Sequence, residues 1–456
     1  MRPFEVFNQN FEVKSNSTFE SSSRITRFLN HSKAAAVEHV FGNIELAKQR
    51  AGFIKWKVSE NLDKYLVEFE ASVLRKGGKV LWAYDAENAL NEIEQLLKKG
   101  KQGRVLNSKS NLSAEIGLNN FLKNKQLDYT DTSITSYFLD LLNKQPYHPS
   151  LPASKLDRND LLRQLNSTIK TSLDAGNEEL LSDVRDELRR KFYDVEYGIV
   201  EADYIIADAG MAVISENEGD ARLSLTFSKT NIILASIDKI LPTFSDLELF
   251  LPLLSTHKNG QFLASYSTIL GPPLRDENEV SADFVVLLID NGRSNAIASQ
   301  EQRQALSCIG CGACYNVCSV FSNVEGMHSY QGSYGGPIGQ VLNPLQKGLE
   351  QFKHLSYAST LCGKCTSVCP VNIDIHNHLL RNRHESIKQN IEKTGDKLAW
   401  YTWKKLMLSR KNINKPNAIK SFTLKQLFKN DWGEREFPKL ADKSFNQLWR
   451  EKLGLK

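Results

Sequence analysis

The chain has 456 residues, and its 58 Lys and Arg residues against 53 Asp and Glu residues give a formal net charge of +5 at pH 7. Hydrophobic residues make up 41% and charged residues 24%, which is ordinary for a globular chain of two to four domains. No apolar stretch approaches the ~18–20 residues that a membrane helix needs, and the N-terminus has no apolar secretory core. We therefore expect a cytoplasmic protein without a transmembrane segment, whose membrane contact would be peripheral.

The first 70 residues predict a helical N-terminal extension. A polar start, with Ser15–Ser23 rich in Ser, Asn and Thr, precedes Lys33–Phe41 and Glu60–Leu74, where apolar residues recur at helical spacing. We interpret this extension (1–70) as a packing element and not as a catalytic unit.

Residues 71–292 predict one α/β domain. The apolar run Val80–Ala83 predicts a strand, and Asp85 is the predicted N-cap of the helix that follows. Arg104–Leu106 predicts a second strand before a helix from about Ser113. This alternation of strands and helices is typical of parallel pairing.

The later part of this domain alternates less regularly. The polar segment Gln145–Gly176 predicts no clear element, and a helix follows from about Glu178 to Tyr193. Its predicted buried face consists of Leu181, Val184, Leu188 and Phe192. Four runs then indicate strands: Gly198–Ala207, Met211–Ser215, Asn231–Ile237 and Asp283–Ile289. The last run is apolar on both faces, which indicates a strand covered on two sides.

Catalytic or ligand-binding residues are hard to identify in this domain, since it lacks the nucleotide-binding, zinc-protease and hydrolase motifs. Three polar loops are candidates for a site: Asn107–Asn111, Ala207–Gly210 and Glu216–Asp220. Lys109 precedes a predicted helix, whose first amides favour an anion. The alternative is that all three loops are ordinary turns rich in small polar residues.

All seven cysteines lie in two short runs. Residues 308–318 form a C-x2-C-x2-C-x3-C run, and residues 362–370 form a C-x2-C-x3-C-P run. Such spacing wraps a tight loop around an iron–sulfur cluster, so that several thiolates converge. Zinc gives no reason for the third cysteine, and disulfides are a poor interpretation of cysteines three residues apart. The runs therefore predict iron–sulfur clusters.

The runs also predict how the ligands divide. In two-cluster ferredoxins the last cysteine of each run binds the other cluster. By that rule the first cluster has the ligands Cys308, Cys311, Cys314 and Cys369, and the second has Cys318, Cys362 and Cys365. Ser359 occupies the position of the missing fourth cysteine. It could bind iron as an alkoxide, the fourth iron could bind water or another residue, or the cluster could be 3Fe-4S instead of 4Fe-4S.

The surroundings of the runs predict a helical ferredoxin unit (293–390). The 43 residues between Cys318 and Cys362 exceed what a small β-type ferredoxin needs, and Asn343–His354 can form an intervening helix. Glycines from Gly332 to Gly339 predict a turn packed against a cluster. We interpret His376 and His378 as surface residues or residues behind the ligands.

A basic helical tail (391–456) ends the chain. Residues 381–456 carry 19 Lys and Arg against 8 Asp and Glu, a charge of +11 that leaves −6 for the remainder. This asymmetry indicates docking onto an acidic partner or an anionic membrane surface, and the alternative is a solvated helical extension. No nucleic-acid module is recognisable.

Several further segments resemble the lactate-utilisation protein B family. They are Gly77–Ala83, Asn107–Asn119, Asn217–Asp220, Asp290–Ser294, Gly335–Gly339 and Ala358–Cys365. The similarity covers about residues 60–390 and includes serine at position 359. The resemblance implies a CoA-transferase-like LUD domain followed by an all-α ferredoxin-like domain with two 4Fe-4S clusters, and helical extensions at both ends.

The resemblance also implies a function and partners. The family implies the iron–sulfur subunit of a three-component system that oxidises L-lactate to pyruvate, an oxidoreductase in which this chain is a component and not the catalytic subunit alone. Its expected partners are a CCG-domain subunit and a second LUD-domain subunit. The alternatives are an enzyme acting at the open iron of the second cluster or in the LUD domain, and a structural protein stabilised by its clusters.

Two segments depart from the family pattern. Asp208–Met211 stands where the family usually has Glu-Thr-Gly-Ser, and Tyr147–Ser154 stands where it has a histidine-bearing apolar stretch. If those positions form a small-molecule site in the family, the departures predict an altered or lost site here.

Overall fold

A computed structural model describes residues 36–99, 103–108, 110–148, 152–273, 282–324, 326–332, 334–389, 391, 398, 401–405, 408–414, 421–422 and 441–454. The described residues fall into two compact units, one ending at His384 and the other beginning at Glu385. Within these ranges no helix is long and apolar enough to cross a membrane. Residues 1–35, Lys109, residues 149–151 and much of the tail lie outside them, so the predictions made there concern residues that the structure leaves undescribed.

The first unit contains ten strands. They are β1 Lys79–Ala83, β2 Arg104–Asn107, β3 Tyr129–Asp131, β4 Val195–Glu201, β5 Tyr204–Ile206, β6 Met211–Glu216, β7 Thr230–Ser236, β8 Ile240–Leu241, β9 Tyr266–Leu270 and β10 Asp283–Ile289 among the described residues.

Helices alternate with the strands up to β10, and only helices follow β10 among the described residues. Up to β10 they are α1 Ile44–Glu60, α2 Leu62–Arg75, α3 Ala86–Lys99, α4 Asn111–Ile116, α5 Leu118–Asn124, α6 Ile134–Leu141, α7 Arg158–Ile169, α8 Asn177–Lys191, α9 Asp220–Phe227 and α10 Leu247–Asn259. After β10 they are α11 Arg293–Ala298, α12 Ala313–Asn316, α13 Ser319–Ser322, α14 Gly336–Lys347, α15 Leu349–Tyr357, α16 Lys364–Ser367, α17 Ile375–Lys388, α18 Arg410–Ile413 and α19 Phe445–Lys452.

The larger sheet is parallel throughout, in the order β1-β10-β7-β4-β2-β3. Strand β10 lies between β1 and β7 and alternates sides: Val286 and Leu288 enter one apolar core, whereas Leu287 and Ile289 enter the other. The prediction of a strand covered on two sides is therefore confirmed. The mixed α/β fold with a parallel sheet is confirmed as well, and the N-cap predicted at Asp85 accepts a hydrogen bond from the Asn88 N–H at 2.8 Å.

A smaller sheet, in the order β8-β5-β6-β9, corrects the predicted strand Gly198–Ala207. That run is two strands, β4 and β5, in different sheets. The chain leaves the larger sheet at Asp203, whose N–H bonds the Val213 carbonyl and whose carboxylate accepts from the Ser215 N–H at 2.7 Å. Successive side chains of β5 then point to opposite faces of the smaller sheet. Ile205 packs against the larger sheet, and Tyr204 and Ile206 pack against the helical region that carries the cysteines.

Three helical predictions need correction. Helix α8 buries the predicted Val184, Leu188 and Phe192, but the fourth member of its buried face is Leu180, and the predicted Leu181 is exposed. The polar segment Gln145–Gly176 contains helix α7, whose buried residues include Leu165. The predicted helix Asn343–His354 is two helices, because Gly348 breaks it with a φ of +99°.

The candidate polar loops of the α/β part bond largely to one another. Asp220 accepts hydrogen bonds from Ser108 Oγ at 3.0 Å and Thr132 Oγ1 at 2.9 Å. Glu216 accepts from the N–H groups of Ala221 and Arg222, at 3.0 and 2.9 Å. This supports the interpretation of these loops as ordinary turns that hold the first turn of α9. The Ala207–Gly210 loop lies apart, at the β5–β6 turn.

A buried ionic cluster joins the sheet edge to the helical region. The Arg293 guanidinium donates to both oxygens of Glu115, at 2.8 and 2.9 Å, and to Asp238 Oδ1 at 2.7 Å. It also donates to the Tyr334 hydroxyl at 2.9 Å and to the Asp290 carbonyl at 3.0 Å. These three charged side chains are at most 5% exposed, so each charge depends on the others for compensation.

The second unit contributes short helices at the end of the chain. Helix α19 begins with a capping box, in which Ser444 Oγ accepts from the Gln447 N–H at 3.2 Å. Ser444 Oγ also donates to Asn414 Oδ1 at 2.7 Å. The docking role of this basic tail stays a prediction.

The Arg293 cluster generates a stability prediction. Arg293→Met should lower the free energy of unfolding by about 3–5 kcal/mol, because Glu115 would remain buried without its cation and Asp238 would lose the largest of its positive neighbours. Urea unfolding followed by circular dichroism measures this loss. The matched control is Arg189→Met, which removes an exposed pair with Asp186 and should cost only about 0–1 kcal/mol. Equal losses in the two variants would contradict the assignment.

Glu216 generates a prediction about pH. Burial, followed by the nearby Asp220, raises the pKa of Glu216 to about 7 from its usual 4.5. The stabilisation from its neutral form is complete below about pH 4.5 and is lost as the pH rises through about 7. In Glu216→Gln, the free energy of unfolding should therefore fall less steeply as the pH rises from about 4.5 to about 7. Exposed Glu179→Gln is the control and should keep the slope of the native chain; an unchanged slope in Glu216→Gln would refute the prediction.

Candidate iron–sulfur site

Each cysteine run folds into a tight turn followed by one turn of helix. Gly312 and Gly363 have φ values of +72° and +77°, and they precede helices α12 and α16. A left-handed backbone at these points favours glycine, because a Cβ would be strained there. None of the seven cysteines is part of a disulfide. The local geometry thus forms the loops that the spacing predicts.

The first group of thiols consists of cysteines from both runs, and three of them, Cys311, Cys314 and Cys369, are buried. Burial raises the pKa of Cys314 well above its usual range, and Cys308, Cys311 and Cys369 raise it further. Burial also raises the pKa of Cys369 to about 12, with Cys311 the largest charged contributor. The four cysteines predicted as ligands of the first cluster therefore lie close enough for the charge of one to affect the pKa of another.

The second group lies at a pocket that opens to solvent. Burial raises the pKa of Cys365 to about 11, and Cys318 and then Cys362 contribute next among the charged groups. These three cysteines line one cavity with about 330 Å³ of free space, part of it open to solvent, together with Ser359 and His376. Cys362 is exposed, whereas Cys365 is buried.

Backbone amides point at several of the thiols. The N–H groups of Gly310, Phe321 and Ile373 each lie 3.4 Å from a cysteine sulfur, namely those of Cys308, Cys318 and Cys369 in that order. Such hydrogen bonds favour the charged thiolate. At Cys318 and Cys369 they oppose the burial that raises the pKa of the thiol, and a bound cation would complete the compensation.

The donor set fits iron–sulfur clusters. Among the described residues, no three His, Cys, Asp or Glu side chains are arranged to hold a single metal ion. Sulfur ligands of one zinc ion crowd within about 2.3 Å of it, whereas a cluster places its thiolates on different iron atoms, farther apart. Two groups of mutually interacting thiols, with amides aimed at their sulfurs, suit the second arrangement.

Ser359 lines the pocket of the second group. Its Oγ accepts a hydrogen bond from the Leu361 N–H at 3.2 Å, and Leu361 itself has a φ of +55°. Arg383 holds this segment by donating to the carbonyls of Ser359 at 3.2 Å and Ser356 at 2.8 Å. The serine is thus fixed beside the three cysteines by backbone contacts.

The two histidines after the second run differ. His376 lines the same pocket, with its Nδ1 2.8 Å from Thr366 Oγ1 and 3.1 Å from Asp374 Oδ1. His378 is buried, and its Nε2 lies 3.1 Å from Gln304 Oε1. His378 is therefore not a surface residue; it joins the second run to the helical turn before the first.

The glycines between the runs pack against aromatic and amide side chains. A Cβ on Gly336 would meet the Tyr315 ring at 2.8 Å, and one on Gly332 would meet the Asn343 side chain at 2.2 Å. The predicted turn thus starts helix α14. Pro337 of that helix lines the pocket of the second group, and the Ile338 amide bonds Cys314.

Tyr147 and His148, in the segment that departs from the family pattern, pack against the first run. His148 Nε2 lies 2.8 Å from Asn316 Oδ1, and its ring meets Tyr315 and Phe321 edge-on. Burial lowers the pKa of His148 to about 4, so the ring is neutral near pH 7. These two residues therefore support the cysteine run.

Sequence reasoning missed two side chains from the α/β part. The buried Lys239 Nζ donates to the Cys308 carbonyl at 3.0 Å, and Tyr204 lies fully buried in the same core as Cys311. Burial acts to lower the pKa of Lys239, but Asp238 and the other nearby anions raise it above its usual value. The only signal in the sequence was a charged Asp238-Lys239 pair directly after a buried strand.

Comparison with known proteins identifies both parts of the first unit. The family model described as LUD domain matches residues 66–288, and the model described as 4Fe-4S dicluster domain matches residues 304–373. A crystal structure of a DUF162 family protein from Deinococcus radiodurans covers 50% of this chain and 98% of its own at 14% identity, with a TM-score of 0.27, which is too low to support a comparison of folds.

Curated relatives match over most of the chain. Lactate utilization protein B from Bacillus cytotoxicus is 36% identical over 384 residues, which are 83% of this chain and 79% of the relative. The proteins of the same name from Bacillus thuringiensis and Bacillus cereus are 36% identical over 373 residues, 81% of this chain and 77% of theirs. The identity, its extent and the two matched domains show that this chain belongs to the lactate utilization protein B family.

Proposed function

We propose that this chain is the iron–sulfur electron-transfer subunit of a complex that oxidises L-lactate to pyruvate. It binds two clusters and passes electrons to a downstream acceptor. The proposed ligands of the first cluster are Cys308, Cys311, Cys314 and Cys369, and those of the second are Cys318, Cys362 and Cys365, with Ser359 at the fourth position. The name of the curated relatives supports the substrate, and the 4Fe-4S dicluster match supports the cofactor.

The unequal exposure of the two thiol groups carries this proposal. Cys311, Cys314 and Cys369 are buried, whereas Cys362 is exposed at the rim of the second pocket. Electron transfer to another protein needs a centre within reach of that partner, and the exposed second group meets this need. A purely structural role gives no reason for the exposed second group.

The two groups are also close to each other. Cys314 and Cys318 belong to different groups but are four residues apart, and so are Cys365 and Cys369. Four residues span at most about 14 Å even when fully extended. The chain therefore connects the two groups twice by short paths, as stepwise electron transfer requires.

The residues around the thiols prepare them for this role. When bound, the clusters supply one-electron transfer at potentials that their surroundings set. The cysteines hold them, the amides of Gly310, Phe321 and Ile373 stabilise the charge on the sulfurs, and the buried aromatic rings of Tyr315 and Phe321 exclude water.

The proposed partners are a CCG-domain subunit and a second LUD-domain subunit, and an assay of the three together tests the function. With all three present, we expect L-lactate to reduce an artificial acceptor. Omitting this chain should abolish the reaction, and so should replacing the second-group ligands Cys362 and Cys365 with alanine. Turnover without this chain, or acceptor reduction that does not need lactate, would refute the proposal.

The open pocket favours one alternative. A hydroxy acid entering the cavity lined by Ser359 and His376 could bind an iron of the second cluster, which would make this chain an enzyme. A CoA-transferase-like reaction of the LUD domain is a further form of that alternative. A change in the EPR spectrum of the isolated, reduced chain on adding L-lactate would support it, whereas the carrier function predicts no change.

The fourth ligand generates a separate prediction. Ser359→Cys would place a thiol in the pocket of Cys318, Cys362 and Cys365, so we expect the second EPR signal to change and the first to stay the same. Iron and sulfide analysis of the anaerobically purified chain accompanies the spectra. The control is Ser367→Cys, on the exposed side of helix α16, which should leave both signals unchanged. An unchanged second signal in Ser359→Cys would exclude a special role for this position.

A further inference from the structure

Two polar side chains of the α/β part face the first thiol group, and the proposed function leaves them unused. Tyr204 is the first residue of β5, and Lys239 directly precedes β8. These strands pair in parallel with Ile205 beside Ile240, so Tyr204 and Lys239 stand next to each other one residue earlier. Both therefore belong to the layer that meets the cysteine runs.

The Tyr204 side chain packs in the core that contains Cys311 and Cys314, with its ring edge-on to Phe250 at 5.7 Å. Its hydroxyl is buried and has no hydrogen-bond partner among the residues that the structure describes. Burial raises the pKa of Tyr204 well above its usual range, and Asp203, Cys311 and Cys308 raise it further. A buried hydroxyl that makes no hydrogen bond is costly, so this one indicates an acceptor that the described residues do not supply.

Lys239 brings a positive charge to the same place. Its Nζ donates to the Cys308 carbonyl at 3.0 Å and would lie 3.7 Å from a Cβ at Gly310, so the amine lies against the first loop of the run. The side chain is 8% exposed. A charge in such a low-dielectric position acts over several ångströms with little screening.

We propose that Tyr204 donates a hydrogen bond to a sulfur of the first cluster, and that Tyr204 and Lys239 together raise the reduction potential of that cluster. Reduction adds one electron and hence one negative charge to the cluster, while the Tyr204 proton stays on its oxygen. A hydrogen bond to sulfur and a nearby cation both stabilise the more negative form. The two residues are positioning residues, and the inference rests on the proposed first cluster.

An EPR-monitored redox titration of the full, anaerobically purified chain tests the hydrogen bond. Tyr204→Phe removes one oxygen and should shift the midpoint potential of the first cluster to a more negative value, leaving the second unchanged. The matched control is Tyr197→Phe, a buried tyrosine of the larger sheet whose hydroxyl donates to the Leu97 carbonyl at 3.3 Å. That control should leave both potentials unchanged.

Two variants of Lys239 distinguish the effect of its charge from the effect of its packing. Lys239→Met should shift the first potential in the same negative direction, whereas Lys239→Arg keeps the charge and should restore most of the native value. If Lys239→Met does not fold, the nearly isosteric Tyr204→Phe still tests the inference. Native iron content with an unmoved first potential in Tyr204→Phe, or an equal shift in both clusters, would overturn the inference. Absence of two clusters from the native chain would instead overturn the proposed function.

Discussion

The buried guanidinium of Arg293 is the constraint on which the arrangement of the first unit depends. It follows strand β10 and compensates two carboxylates from different parts of the sheet edge, Glu115 and Asp238. Its contact with Tyr334 extends the same cluster into the helical region. Because isolated charges are costly in such a place, the ionic cluster forms only when sheet edge and helical region are both in position.

This constraint explains two of the sequence segments that carry the family resemblance. Asp290–Ser294 builds the turn that delivers Arg293: Asp290 accepts from the Ser294 N–H and hydroxyl, both at 2.6 Å, and Asn291 donates to Glu115 at 2.6 Å. Gly292 has a φ of +87°, and a Cβ there would meet the Gln346 carbonyl at 2.7 Å. Glu115 itself belongs to the segment Asn107–Asn119. These segments therefore join the LUD domain to the region of the cysteines.

The sequence was most informative where structure is decided by neighbouring residues. Cysteine spacing predicted the loops of both runs, and the apolar run Asp283–Ile289 predicted strand β10 at its observed bounds. The predictions that failed concerned features that depend on tertiary pairing. Nothing local tells that the chain changes sheets at Asp203, and Tyr204 resembles any other buried strand residue until the fold places it in the same core as Cys311. Gly348, which divides the predicted helix, was a local signal that was overlooked.

The proposed exchange of cysteines between the two runs would have a consequence for how the protein matures. In the proposed ligand set, the first cluster needs Cys369 from the second run, and the second needs Cys318 from the first. Neither run can complete a cluster alone, so loading must wait until segments more than 40 residues apart have met. Metal binding and folding are then one coupled event, as in small metalloproteins that stay unfolded without their metal. A chain that stalls before Cys362 has left the ribosome would hold an incomplete first site and no second one, which makes iron delivery a step that follows synthesis of the whole region.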